Sequence, residues 1–179
     1  LTGSASHAGD TYISSGTLQI GNGGTTGSVI GDVFNYGTLS FNRSDSYQFS
    51  GVIDGAGSVL KQGDGVLTLD GENYYTGETV INSGTLVAKS ASALGDSSGL
   101  VRFTGTTGVL ELAPATTTQP YPFTIGAGNS GTILAGVATP GPGINHTLGN
   151  FALSTIPLNV GAGADVTAGD PRITIPELS

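Results

Sequence analysis

Cysteine, methionine and tryptophan are absent from the 179 residues, and Lys and Arg together number only 5. Without Cys there is no disulfide, no thiol nucleophile and no zinc–thiolate site. Without disulfides, a chain of this size must hold itself by packing alone. Five basic residues against 13 acidic ones, net −8, leave no electrostatic footprint for nucleic acid or an anionic membrane. That acidic balance suits the solubility of a secreted protein. No apolar run is long enough to cross a bilayer, so no transmembrane helix is expected. Helix formers are scarce as well: 2 Lys, 3 Arg, 4 Glu, 4 Gln. That scarcity argues against a helical bundle or an α/β enzyme with several long helices. With Leu1 first, the chain reads as a processed or excised piece.

What is present is small, hydroxylic and β-branched. Gly (31), Thr (23) and Ser (18) dominate, yet 37% of the residues are hydrophobic, enough for a core. Val, Ile, Thr and Leu are spread evenly along the chain, which suits strands. The fold class read from this is all-β.

A short phrase recurs. Gly16-Thr17-Leu18, Gly37-Thr38-Leu39, Gly65-Val66-Leu67, Gly84-Thr85-Leu86, Gly108-Val109-Leu110 and Gly131-Thr132-Ile133 all read glycine, β-branched, aliphatic, at spacings of 21, 28, 19, 24 and 23. A period of this order indicates a repeated unit that cannot bury its apolar face alone. After each glycine the residues alternate, as in Val66-Leu67-Thr68-Leu69 and Val109-Leu110-Glu111-Leu112. Alternation sends the aliphatic side chains to one face and the polar ones to the other. Second strands are expected at Ser28-Val29-Ile30, Tyr47-Gln48-Phe49, Thr79-Val80-Ile81, Leu100-Val101-Arg102-Phe103 and Phe123-Thr124-Ile125. Coiling such units so that successive strands pair in parallel gives a β-solenoid, or parallel β-helix. The expected core ladder is Leu18, Leu39, Leu67, Leu86, Leu110 and Ile133, with corners at Gly16, Gly37, Gly65, Gly84, Gly108 and Gly131. Repeats are assigned to residues 1–137 and a Pro/Gly-rich connection to 138–146. Residues 147–179 form a C-terminal strand-rich extension, a capping element or donated strand.

Between Gly57 and Gly95 the chain closely resembles the autotransporter-associated β-strand repeat of bacterial autotransporter passengers and large secreted adhesins. The matching phrases are Lys61-Gln62-Gly63-Asp64-Gly65, Leu67-Thr68-Leu69, Asn73-Tyr74-Tyr75-Thr76-Gly77, Thr79-Val80-Ile81, Gly84-Thr85-Leu86 and Ala93-Leu94-Gly95. Residues 16–55 look like the linker that precedes this repeat, and the two stretches cover about 80 of the 179 residues. The resemblance implies a right-handed parallel β-helix, exported to the cell surface or beyond, that serves as stalk or adhesin rather than as enzyme. The sequence departs from the repeat phrase after Gly136.

Catalytic strings are weak. Residues 95–99 fit G-x-S-x-G, but a strand follows rather than a helix, and the two His residues, His7 and His146, lie near opposite ends. Residues 126–131 fit G-x-G-x-x-G without a helix N-terminus for a pyrophosphate. A sugar hydrolase needs two facing carboxylates and usually stacking aromatics, and no Trp is present. No catalytic, cofactor or metal site is assigned; an isolated Ca²⁺ at an aspartate corner is the one ion considered. The function read is a non-enzymatic extracellular structural protein. It is either a self-assembling filament subunit or a stalk segment of an autotransporter-like adhesin, with partners that are copies of itself end to end or flanking repeats. Ile173, Thr174 and Ile175 form the candidate inter-subunit strand. The alternatives are an adhesin module for a glycan or host protein and, behind it, a polysaccharide-degrading β-helix enzyme. The 113–122 loop, with Thr116-Thr117-Thr118, Pro120, Tyr121 and Pro122, is either the module's contact or an irregular coil-to-coil connection.

Overall fold

The structure, a computed structural model, describes residues 1–4, 9–96, 99–115, 121–126, 128–137, 140–143, 145–151, 158–169 and 172–174. Among them are 19 strands, numbered in chain order, and no helix. Every pairing between these strands is parallel, so the sheets grow only by returning the chain to the same edge once per coil. That geometry is a β-solenoid.

Three sheets run along the stack. The longest holds β2 (Thr17–Ile20), β4 (Thr38–Asn42), β7 (Ser58–Gln62), β9 (Thr79–Ile81), β11 (Leu100–Phe103), β13 (Tyr121–Ile125), β16 (His146–Phe151) and β19 (Ile173–Thr174). A second holds β5 (Ser46–Phe49), β8 (Val66–Leu69), β10 (Thr85–Ala88), β12 (Val109–Leu112), β14 (Gly131–Ala135) and β17 (Leu158–Ala162). The third is short: β1 (Thr11–Ile13), β3 (Val33–Asn35) and β6 (Ile53–Asp54). Near the C-terminal end β15 (Gly141–Pro142) pairs with β18 (Val166–Ala168).

Coil length changes along the rod. The coils that pair Thr38 with Ser58 and Val59 with Thr79 are short, whereas the one that pairs Gly131 with Leu158 is longer. The two long sheets run on through residues 146–162, where β16 adds to β13 and β17 to β14. The expected connection at 138–146 itself contains β15. Ser28–Ile30, expected as a strand, makes one isolated bridge from Ser28 to Ser4. Among the described residues, Ser4 is the first-coil residue that pairs with it.

The interior is a set of stacked columns. In the long sheet Leu39, Val59, Thr79 and Val101 follow one another by register, each at most 1% exposed. Beside them run Ile20, Phe41, Lys61, Ile81 and Phe103. Each fully buried aliphatic or aromatic side chain contributes roughly 1.5–3 kcal/mol relative to exposure. Two buried asparagines settle the backbone at the corners. Asn73 accepts from the Ile53 N–H at 2.8 Å and donates to the Ala93 carbonyl at 2.6 Å; Asn35 donates to the Ser58 carbonyl at 2.9 Å. They satisfy groups that would otherwise be buried without partners.

Candidate functional site

The six aliphatics of the expected ladder fall into two columns on different sheets. Leu18 pairs with Leu39 in the long sheet; Leu67, Leu86, Leu110 and Ile133 stack in the second, below Tyr47 and above Val160. The glycine-led phrase therefore marks the strand entering the long sheet in the first two coils and the strand entering the second sheet thereafter. The wide gap between Gly37 and Gly65 is where it changes sheet. Leu39, Leu67, Leu86, Leu110 and Ile133 are buried, and Leu18 is half-buried against the same core.

The six corner glycines divide likewise. Gly16 and Gly84 have φ of +73° and +67°, the left-handed region that a side chain disfavours. The others avoid it and serve close approach. A Cβ on Gly65 would run into the Asp45 backbone, and one on Gly131 into the Phe103 ring.

Of the candidate inter-subunit strand, Ile173 and Thr174 pair with His146 and Thr147 of the same chain, as β19 on β16. Ile175 lies outside the described residues. Tyr121, named for the loop as a ligand contact, falls on the side of the coil-to-coil connection. It is 2% exposed, with its ring 5.5 Å from Phe123 and 5.8 Å from His146, and cannot project to a ligand. It begins β13, where inward alternation takes its ring into the core. Residues 116–120 of that loop lie outside the described residues, as do His7 and residues 97–98 of the G-x-S-x-G string.

Lys61 is the residue composition alone would not place. It stands in the column of Ile20, Phe41, Ile81 and Phe103 and is 2% exposed. Its Nζ donates to three carbonyls, Gln62 (3.2 Å), Gly63 (2.7 Å) and Ser83 (3.0 Å). Burial pushes the amine down to about 8, with nearby Asp64 acting the other way. The amine thereby ties the corner of one coil to that of the next.

On the outer face of the second sheet a groove of about 400 Å³ is lined by Val87, Lys89, Glu111, Leu134 and Asp165 among others. Glu111 is 8% exposed; burial first, and then Asp165, raise its carboxyl above the usual range. The alternation in Val109-Leu110-Glu111-Leu112 placed it outward, but not beneath the Gly136 and Gly163 backbones that cover it. The groove brings two carboxylates, Glu111 and Asp165, and the Lys89 amine into one lining. Among the described residues no three His, Asp or Glu side chains converge to hold a metal ion. Among them, too, no helix is long and apolar enough to cross a membrane.

The family model described as passenger-associated-transport-repeat matches residues 1–20 and 59–88. Over 88 residues, 49% of this chain, the sequence is 41% identical to the adhesin BmaC autotransporter of Brucella suis biovar 1 (strain 1330). The matched stretch amounts to 3% of that protein's length. No solved structure matches the chain. Residues 1–20 and 59–88 thus carry the passenger-associated-transport-repeat, and the likeness to an autotransporter adhesin puts this β-solenoid at the cell surface or beyond it.

Proposed function

We propose that this chain is a non-enzymatic stalk segment of an adhesin-like passenger, whose work is to supply length and stiffness outside the cell. The observation that carries the reading is the residue-for-residue parallel register that runs from β5 to β17 without a shift. Each coil adds about 4.8 Å of rod and uses the coil before it as template. Flanking repeats in one long chain would extend both ends by the same pairing. The small share of the passenger-type relative covered by this match favours that arrangement over separate copies.

Velocity sedimentation and electron microscopy of the purified chain, at high concentration without denaturant, test this. A stalk segment gives monomers with the frictional ratio of a short rod. Fibres thickening with concentration would instead make it a self-assembling subunit, with the strand edges joining copies head to tail.

A further inference from the structure

The outer face of the short third sheet is unlike the rest of the rod. Register places Tyr12 beside Phe34 and Phe34 beside Asp54, and the bond from Tyr74 N–H to the Ile53 carbonyl puts Tyr74 next in the same column. Tyr12 and Phe34 stack with centroids 4.7 Å apart and planes 14° from parallel. Tyr12 is 71% exposed, Tyr36 60% and Tyr74 53%. Inward alternation sends Ile13, Val33, Ile53 and Tyr75 to the core, so these rings face water because of strand parity. Acids flank them: Asp54 stands in the column itself, Asp10, Asp32 and Glu72 lie two residues before Tyr12, Phe34 and Tyr74, and the Tyr74 hydroxyl donates to Glu72 at 3.2 Å. None of Arg43, Lys61, Lys89, Arg102 and Arg172 lies on this face.

We propose that this face docks a cationic polypeptide segment, its Arg or Lys side chains lying over the exposed rings with the four carboxylates as counter-charges. Exposed aromatic faces attract guanidinium and ammonium groups, and a surface carrying acids but no Lys or Arg among the described residues selects for positive charge. From Tyr12 to Tyr74 the column spans three coil steps, about 14 Å. An extended chain with several cations fits that span, and a single small cation would engage only one of the rings. Because the face is lateral, coils stacking at either end leave it open.

Fluorescence anisotropy of residues 1–179 with a labelled hexa-arginine peptide tests the proposal, with an array of neutral oligosaccharides as the second arm. The peptide is expected to bind. Tyr12→Ser with Tyr74→Ser leaves the net charge unchanged and is expected to weaken binding about tenfold. Asp54→Asn with Glu72→Gln should weaken it comparably. Asp64→Asn with Asp70→Asn removes the same charge from other corners and should change it less than twofold. Far-UV circular dichroism checks that each variant keeps its strands. Absence of peptide binding would overturn the proposal. So would equal weakening by the two acid pairs with the tyrosine pair inert, or oligosaccharide binding in place of peptide binding.

Discussion

The Tyr47 hydroxyl engages both backbone groups of a single residue, Val29, accepting from its N–H at 3.1 Å and donating to its carbonyl at 3.0 Å. Tyr47 lies on β5, the outermost strand of the second sheet, and Val29 belongs to the coil above, which has no strand there to pair. Arg43 works beside it, lying 4.9 Å over the Tyr47 ring, donating to the Gly27 and Thr25 carbonyls and pairing with Asp45 at 2.7 Å. Side chains here do what a further strand does elsewhere in the rod.

Replacing Tyr47 with Phe keeps the ring and removes both bonds. The loss is expected to be about 2 kcal/mol, because two backbone groups are left without their partner. Urea midpoints measure it, and faster hydrogen exchange at Val29 should accompany it.

Lys61 makes stability depend on alkaline pH. Its amine titrates at about 8 in the native state against 10.5 in the unfolded chain. Between those values the unfolded state holds a proton that the native state lacks, so stability from this group rises with pH across the window. Lys61→Met has no such term. Thermal melts of both proteins across that window should show the wild type gaining on the variant as pH rises. A constant difference would contradict the buried-amine account.

The sign is opposite at Glu111. Burial and Asp165 raise its folded pKa, so the native state holds the proton longer than the unfolded chain and stability is lost as pH rises above 4.5. Glu111→Gln should therefore be more stable than wild type at pH 7 and lose that advantage near pH 4, a comparison that urea denaturation at the two pH values makes directly.

Two buried phenols make a matched pair. Tyr75 Oη lies 2.5 Å from Thr79 Oγ1, whereas Tyr121 Oη has no hydrogen-bond partner among the described residues. Tyr75→Phe should cost about 1 kcal/mol, while Tyr121→Phe should be neutral or stabilising by a similar amount. Differential scanning calorimetry of the two variants checks the contrast.

The coil is legible in the sequence because a parallel stack repeats its constraints. Each inward position meets the same position one coil away, so Leu67, Leu86 and Leu110 recur at one phase. The change of sheet between Gly37 and Gly65 is hidden, since both long sheets ask for the same glycine, β-branched, aliphatic phrase. Tyr121 misleads because its outward or inward sense depends on where β13 begins, which neighbouring prolines obscure. Lys61 reads in sequence as a strand-end residue, and the carbonyls that accept from it come from backbone corners that carry no side-chain signature. The aromatic face of the third sheet is invisible in the sequence because Tyr12, Phe34 and Tyr74 lie in separate coils and meet only through register.

The in-register stack is tested most directly by a distance across many coils, and the absence of native Cys makes specific labelling simple. Ser46 and Asn159 occupy one outward column, five pairing steps apart. Spin labels on Ser46→Cys and Asn159→Cys, read by pulsed electron–electron resonance, should give a single narrow distribution at about 24 Å, five strand spacings of about 4.8 Å. A broad distribution, or one centred beyond about twice that distance, would contradict the solenoid.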